Sequence, residues 1–109
     1  EIVGELAARD VPLFAITNFG AEFWAGFRPT QPVFDHFRDV VVSGEEKLTK
    51  PDPAIYRLAL DRFGLAAGEG LFVDDSLTNV EAARANGFHA HHFTDAPTLR
   101  AELEALGLL

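Results

Sequence analysis

The sequence predicts an α/β fold in which helices cover both faces of a parallel sheet. Three short apolar segments have the length and composition of buried strands, a fourth strand is expected after them, and the segments between the strands carry apolar residues at helical spacing. Strands that alternate with helices pair in parallel through right-handed crossovers. The 109 residues, 48% of them apolar, are enough for one domain and leave little room for a second.

The first half of the chain is predicted to contain a helix, two strands and an aromatic segment. The helix covers residues 2–9, and a continuous apolar run predicts a strand over 11–16. Residues 19–37 are rich in aromatic side chains but contain two prolines, so one or two short helices are expected there. A second buried strand is predicted over residues 39–42.

The next helix and strand have clear boundaries in the sequence. Asp52 and Pro53 are typical of a helix N-terminus, and the apolar stripe that follows is expected to end at Gly64. A third buried strand is predicted over residues 71–73. It leads directly into a pair of aspartates.

Two further helices and one strand complete the alternation. The spacing of Thr78 and Glu81 predicts a capping box at the start of a helix. A fourth strand is expected over residues 88–93, and a last helix begins at Asp95. The apolar face of that helix is predicted to consist of Leu99, Leu103 and Leu106.

The charge balance and the lack of cysteine exclude several classes of function. Nine basic and 17 acidic residues give a net charge of −8, which repels nucleic acids and anionic lipids. Without cysteine there are no disulfides, thiolate zinc sites or cysteine nucleophiles. No apolar run approaches the roughly 18–20 residues that cross a bilayer. We therefore expect a cytoplasmic protein that binds neither nucleic acid nor membrane.

Polar residues follow three of the predicted strands. Thr17 follows the first strand, Ser43 the second, and Asp74 with Asp75 the third. Parallel α/β sheets bind their ligands at the carboxyl ends of the strands. We therefore expect these side chains to lie at one rim of the sheet.

Asp74 and Asp75 are adjacent carboxylates at the end of an apolar strand. They repel each other unless a cation lies between them or one of them takes up a proton. Mg²⁺ prefers carboxylate oxygens and commonly combines one or two of them with water and phosphate. Both residues are candidate Mg²⁺ ligands, and the alternative is a turn in which one Asp caps the next helix.

Lys50, Thr17 and Asn18 are candidates for binding an anion at the same rim. Lys50 precedes a helix N-terminus, where its ammonium group and the helix dipole both favour negative charge. The Thr17 hydroxyl group and the Asn18 carboxamide can donate hydrogen bonds to a phosphoryl oxygen. Taken singly, these features are also typical of a solvated lysine and an ordinary turn.

The order of these motifs resembles that of the haloacid dehalogenase superfamily. Thr17, Lys50 and the pair Asp74 and Asp75 match its second, third and fourth motifs, and the resemblance extends from about residue 11 to the last helix. It implies a Rossmann-like core and Mg²⁺-dependent hydrolysis of a small phosphorylated metabolite, a phosphate monoester, through an aspartyl-phosphate. Thr17, Lys50 and Asp75 would be the catalytic residues. Thr17 would bind the phosphoryl group, Lys50 would neutralise it, and Asp75, with Asp74 nearby, would bind Mg²⁺.

The sequence departs from the family at the nucleophile. In the family this is the first Asp of an Asp-x-Asp motif after an apolar strand, and no Asp-x-Asp occurs in the 109 residues. That strand lies in the middle of the family's sheet, between the strands ending at Thr17 and Asp74, and a cap domain follows it. Residues 1–109 are therefore expected to be a partial core domain, inactive alone. Asn79 replaces an acidic residue common in the family and is expected to support the loop instead of the metal.

Two explanations can account for the missing motif. The chain is either the C-terminal part of a longer enzyme or a degenerate remnant that serves as a binding module. Retention of Thr17, Lys50 and the aspartate pair favours the first. Because strands beside a missing neighbour leave backbone groups unpaired, the isolated residues are expected to be marginally stable or to form a homo-oligomer.

Two other functions share part of the pattern. A 2-haloacid dehalogenase uses no metal and, in the family, lacks the acidic pair at the fourth motif. Receiver domains of signalling proteins combine an acidic pair, a Thr and a Lys, but they place the acidic pair first and the Lys last. The order found here therefore favours the phosphatase interpretation.

Histidines and aromatic residues provide weaker signals. His89, His91 and His92 are interpreted as sheet histidines, because the sequence offers no further ligands for a metal site. Most aromatic residues of the segment 19–37 are expected in the core. Phe19 and Trp24 lie nearest to Thr17 in sequence and are candidates for the wall of a substrate pocket.

Overall fold

The computed structural model describes residues 2–109, and its strands form two separate parallel pairs. The strands are β1 (Phe14–Thr17), β2 (Asp39–Val42), β3 (Leu71–Asp74) and β4 (His89–His92). β1 pairs with β2 so that Thr17 lies opposite Val42, and β3 pairs with β4 so that Asp74 lies opposite His92. The predicted α/β class with parallel strands is confirmed, in the form of two small sheets.

The described residues contain six α-helices, which lie before, between and after the strands. They are α1 (Ile2–Ala8), α2 (Ala21–Phe27), α3 (Ser43–Glu46), α4 (Pro53–Phe63), α5 (Leu77–Ala85) and α6 (Ala96–Ala105). Two short 3₁₀ turns, Arg28–Thr30 and Pro32–His36, separate α2 from β2. No helix in residues 2–109 has both the length and the apolar character needed to cross a bilayer.

The first strand is shorter at its start than predicted. The expected strand covers residues 11–16, whereas β1 begins at Phe14 and includes Thr17. Pro12 has no N–H group and so cannot donate a hydrogen bond to a neighbouring strand. The Leu13 carbonyl group accepts a hydrogen bond from the Arg38 N–H group (2.8 Å). Helix α3, directly after β2, was not predicted from the sequence.

Helix α4 begins and ends where its capping residues predict. The Asp52 side chain accepts a hydrogen bond from the Ala54 N–H group (2.9 Å), and Pro53 is the first helical residue. At the other end Gly64 adopts a left-handed conformation with φ of +69°. A residue without a Cβ is suited to that conformation, so the helix ends there.

The predicted cap of α5 was wrong. Ser76, and not Thr78, is the N-cap residue, and its Oγ accepts from the Asn79 N–H group (3.3 Å). β3 continues to Asp74, and the turn that follows is short, so the helix already begins at Leu77. Thr78 therefore lies within the first turn of the helix.

Helix α6 follows its prediction except at its end. Asp95 caps it by accepting a hydrogen bond from the Thr98 N–H group (2.7 Å), and Leu99 and Leu103 are buried. Leu106, predicted on the same apolar face, is 54% exposed. It lies beyond the last helical residue, where the chain no longer follows the helical period.

Helices pack on both sides of β3. Phe72 belongs to a core cluster with residues of α4 and α5, whereas the neighbouring Leu71 packs against a second cluster that contains residues of α1 and α6. Successive side chains of a strand point to opposite faces. The predicted arrangement of helices on both faces is therefore observed.

An apolar cleft of about 920 Å³ separates the two sheets. Residues of β1 and β3 line it, and it extends to Lys50 at the carboxyl ends of the strands. β1 is paired only with β2, and β3 only with β4, within the described residues. Val73 of β3 is 38% exposed, which is unusual for an apolar residue of a strand with helices on both faces.

Gly44 provides a test of the packing around the turn after β1. A Cβ at this position would collide with the backbone of Ala21 and would lie 2.8 Å from the Gly20 Cα. Because backbone atoms cannot rotate away, Gly44→Ala is expected to lower the free energy of unfolding by about 1–3 kcal/mol. Urea denaturation measures the change.

Gly26 in α2 is the matched control for this substitution. A Cβ there would have no atom within 4 Å, so Gly26→Ala is expected to stabilise the helix by about 0.5–1 kcal/mol. Equal destabilisation by both substitutions would contradict the assigned contact.

Candidate functional site

A chain of contacts connects the carboxyl ends of β1 and β3. Thr17 is the last residue of β1, and Asn18 after it is hydrogen-bonded to the backbone of Lys50. The Lys50 ammonium group in turn contacts Asp74, the last residue of β3. The structure therefore brings the predicted site residues to one rim, while their roles remain predictions.

The Thr17 hydroxyl oxygen is buried and has no hydrogen-bond partner among residues 2–109. A buried polar atom without a partner costs about 1–3 kcal/mol. Such an atom at the ligand-binding edge of a parallel sheet is suited to bind a ligand oxygen. The Thr17 hydroxyl group can donate its proton to an acceptor such as a phosphoryl oxygen.

The side-chain amide of Asn18 is engaged by Lys50. Its Nδ2 donates to the Lys50 carbonyl oxygen (3.2 Å), and its Oδ1 accepts from the Lys50 N–H group (3.0 Å). The sequence suggested that this carboxamide binds a phosphoryl oxygen. The structure shows it bound instead to the backbone of the loop before α4.

Lys50, in the loop before α4, and Asp74, at the end of β3, form a partly buried ion pair. The Lys50 Nζ lies 2.9 Å from the Asp74 Oδ2, and the side chains are 13% and 9% exposed. The same ammonium group lies 5.7 Å from the centroid of the Phe72 ring, within cation–π range. Lys50 is thus held by a carboxylate and an aromatic face.

Three hydrogen-bond donors determine the charge state of Asp74. Its Oδ1 accepts from the Ser76 N–H group (2.9 Å), and its Oδ2 accepts from Lys50 Nζ and from Asn79 Nδ2 (3.2 Å). Burial raises the pKa of Asp74, but the Ser76 N–H group, the Lys50 ammonium group and the Asn79 amide together bring it below its usual value. Asp74 is therefore ionised in the folded protein at neutral pH.

Asn79 contacts the loop after β3 and the helix α4. Besides its amide contact with Asp74, its carbonyl oxygen accepts from the hydroxyl group of the buried Tyr56 (3.2 Å). Burial and the nearby Asp74 raise the pKa of Tyr56 to about 12. The Tyr56 hydroxyl group therefore remains a donor at neutral pH and holds the start of α5 in place.

Asp75 differs from Asp74 because it is exposed. Its carbonyl oxygen accepts from the His92 Nε2, 2.9 Å away, which attaches the loop to the end of β4. No group of three or more His, Asp or Glu side chains in residues 2–109 is arranged to hold a metal ion. A single accessible carboxylate nonetheless fits Mg²⁺, which commonly takes one or two carboxylates and completes its coordination with water and phosphate.

Ser43 and Gly44 position the turn that follows Thr17. The Ser43 Oγ donates to the Phe19 carbonyl oxygen (3.1 Å), and the Gly44 N–H group donates to the same oxygen (2.8 Å). Ser43 was expected at this rim, but its contact with Phe19 was not. The one signal in the sequence for this close approach of the loops after β1 and β2 is Gly44, which follows Ser43 and has no side chain.

The aromatic segment packs mainly on itself. Trp24 is buried and lies 4.9 Å from Phe34 and 6.1 Å from Phe19, measured between ring centroids, so it belongs to the core and not to a pocket wall. Phe19 is half-buried. Phe23 is the exposed aromatic residue of this segment, with 57% of its surface accessible to solvent. Its ring centroid lies 5.1 Å from that of Phe19.

The three histidines of β4 make separate contacts. His91 is half-buried, its Nδ1 lies 4.0 Å from a Glu102 carboxylate oxygen, and its buried Nε2 has no partner in the described part of the chain. His92 contacts the loop of Asp75. These contacts do not bring the histidines together as ligands of one metal ion.

The chain is similar to known hydrolases over most of its length. A family model described as haloacid dehalogenase-like hydrolase matches residues 1–87. The sesquiterpene phosphatase astK of Aspergillus oryzae is 33% identical over 105 residues, which cover 96% of this chain and 54% of that protein. The phosphoglycolate phosphatase of Pectobacterium atrosepticum is 34% identical over 87 residues, covering 80% of this chain and 37% of that protein. The chain thus spans about half or less of these curated relatives.

Solved structures show the same fold. An uncharacterised protein from Corynebacterium glutamicum has a TM-score of 0.76 and 28% identity, covering 97% of this chain and 78% of that one. A haloacid dehalogenase family enzyme from Bacteroides thetaiotaomicron, in complex with magnesium and inorganic phosphate, has a TM-score of 0.75 and 24% identity, covering 90% of this chain and 55% of that one. The match to the family model over residues 1–87 confirms the resemblance inferred from the motifs.

The charge of Asp74 should appear in the pH dependence of stability. Its folded-state pKa lies below the ordinary 3.8, so its contribution is complete above that pH and is lost as the pH falls through the folded-state pKa. Asp74→Asn is expected to reduce the free energy of unfolding by about 1–3 kcal/mol at pH 7. The difference from the unsubstituted protein should shrink below pH 3.8.

Urea denaturation at a series of pH values measures this difference. Asp61→Asn, which removes an exposed carboxylate of α4, is the control and should be nearly neutral at every pH. A constant difference between Asp74→Asn and the unsubstituted protein from pH 7 to pH 2 would contradict the assignment.

Proposed function

The chain belongs to the haloacid dehalogenase-like hydrolases, and from this premise we propose that it supplies the phosphate- and magnesium-binding part of a phosphatase for small phosphate monoesters. The observation that supports the proposal is the buried, unpartnered Thr17 hydroxyl group at the end of β1, next to Asn18, which is hydrogen-bonded to the Lys50 of the Lys50 and Asp74 ion pair. A donor and a cation at one rim are what a phosphoryl group requires.

In this proposal each residue of the rim has one role. The Thr17 hydroxyl group donates to a phosphoryl oxygen, and the Lys50 ammonium group neutralises its charge. An ammonium group about 4 Å from a phosphoryl oxygen is worth roughly 4 kcal/mol at an effective dielectric constant of 20. Asp74 keeps the ammonium group in place and charged.

Asp75 is the proposed principal ligand of Mg²⁺, with Asp74 near the ion. Its carboxylate is exposed, whereas the Asp74 oxygens already accept three hydrogen bonds. When bound, Mg²⁺ supplies positive charge to a phosphoryl oxygen and orients it. The magnesium and phosphate in the Bacteroides thetaiotaomicron neighbour support this choice of ion.

The nucleophile is proposed to come from outside residues 1–109. Phosphoryl transfer through an aspartyl-phosphate needs an Asp whose carboxylate attacks phosphorus while the alcohol leaves, and no Asp-x-Asp occurs here. The cleft between β1 and β3 is apolar, is bounded by two strand edges and extends to Lys50. A strand in this cleft would pair with both sheets and end beside Lys50. Residues 1–109 are accordingly proposed as a partial core domain.

Catalysis by the complete protein tests the proposal. Hydrolysis of p-nitrophenyl phosphate should require Mg²⁺ and stop on metal chelation. Thr17→Val should lower kcat by about 100- to 1,000-fold, since it removes one donor to the developing charge, whereas Thr17→Ser should retain most activity. Asp75→Asn should raise the Mg²⁺ concentration for half-maximal activity by about 10- to 100-fold.

Thr30→Val is the matched control for Thr17→Val. The Thr30 hydroxyl group donates to the Phe27 carbonyl oxygen (2.6 Å) in the turn after α2, so its loss should leave kcat unchanged. Activity on a 2-haloacid that survives chelation would favour the dehalogenase instead. Absence of any hydrolysis with full Mg²⁺ would favour a binding module.

A further inference from the structure

We propose that Asn18 is a positioning residue, whose side-chain amide holds Lys50 where its ammonium group can reach both Asp74 and a bound phosphoryl group. The proposal rests on the proposed function for the phosphate-binding role of Lys50. It adds which residue positions Lys50 for that role.

The contact between Asn18 and Lys50 is reciprocal. The Asn18 amide donates to the Lys50 carbonyl oxygen and accepts from the Lys50 N–H group, at 3.2 and 3.0 Å, although the residues are 32 positions apart. Two residues of adjacent strands exchange hydrogen bonds in the same way. The side chain of Asn18 thus extends the pairing of β1 to a loop that is not a strand.

The loop before α4 needs such an anchor. Thr49, Pro51 and Asp52 are exposed, and the hydrogen bond from the Asp52 N–H group to the Thr49 carbonyl oxygen (2.8 Å) is local to the loop. The Asn18 amide attaches this loop to the end of β1. The base of the Lys50 side chain is then fixed, which limits where its flexible four-carbon stem can place the ammonium group.

This role differs from direct phosphate binding by the Asn18 carboxamide. The oxygen of that carboxamide and one of its two N–H groups already have partners on Lys50. Asn18 would therefore act on the phosphoryl group through the position of the Lys50 ammonium group. The consequence is that its effect should depend on the presence of that ammonium group.

A double-mutant cycle on the complete protein tests this dependence. Calorimetry with orthophosphate in the presence of Mg²⁺ gives the affinity of four proteins: unsubstituted, Asn18→Ala, Lys50→Met and the double variant. Asn18→Ala is expected to weaken orthophosphate binding by about 3- to 30-fold when Lys50 is present. In the Lys50→Met background it should change the affinity less than about twofold.

Asn86→Ala is the matched control, because the Asn86 amide donates to the Ala82 carbonyl oxygen (2.7 Å) at the end of α5, away from the rim. It should leave the orthophosphate affinity unchanged. Equal weakening by Asn18→Ala in both backgrounds would indicate direct contact with phosphate and would overturn the proposal. Unchanged affinity in the Asn18→Ala protein would also overturn it.

Hydrogen exchange of the Lys50 amide provides a readout that needs neither phosphate nor the Lys50→Met variant. It should become at least about tenfold faster in Asn18→Ala and remain unchanged in Asn86→Ala. Unchanged exchange in Asn18→Ala would overturn the proposal. If the unsubstituted protein does not bind orthophosphate, the proposed function fails, and the exchange rates still decide whether Asn18 anchors the loop.

Discussion

The ion pair between Lys50 and Asp74 links the loop before α4 to the end of β3, at the rim of two sheets that share no strand pairing within the described residues. Removing two charges from water is costly, and a buried pair is tolerated only when its remaining donors and acceptors are satisfied. Asp74 meets this condition through Ser76 and Asn79, and Lys50 also lies over the Phe72 ring. A pair of this kind places a cation at a defined point more than it stabilises the fold, which suits a site that must position an anion.

The cleft between the sheets extends to Lys50, so the cleft and the candidate site are continuous. Helices on both sides pack against Leu71 and Phe72 of β3, while the edges of β1 and β3 that face the cleft have no partner strand in the described residues. Val73 is exposed because no strand covers this edge of β3 in the described residues. The proposed central strand would cover this edge and deliver a nucleophile next to Lys50, so that completing the sheet and completing the site become one event.

Local signals predicted the order of elements, because strand composition, helical spacing and caps act over a few residues. Asp52, Gly64 and Asp95 mark helix ends through their own chemistry. Ser76 was overlooked because two candidate caps lie close together, and the true end of β3 decides between them. Leu106 was wrongly predicted on the apolar face of α6 because its exposure depends on the residue at which the helix ends.

Long-range contacts could not be predicted in the same way. Thr17, Lys50 and the aspartates were recognisable as a set, but the use of the Asn18 amide on a backbone 32 residues away depends on how two loops approach each other. The buried position of Trp24 depends on packing against Phe34.

A crystal structure of the complete protein with Mg²⁺ and orthophosphate would show which residues bind the metal and the phosphate. We expect Mg²⁺ about 2.0–2.1 Å from an Asp75 carboxylate oxygen, with phosphate oxygens within hydrogen-bond distance of the Thr17 hydroxyl group and the Lys50 ammonium group. Phosphate bound elsewhere, with the Thr17 hydroxyl group still unpartnered and Asp75 remote from the metal, would contradict it.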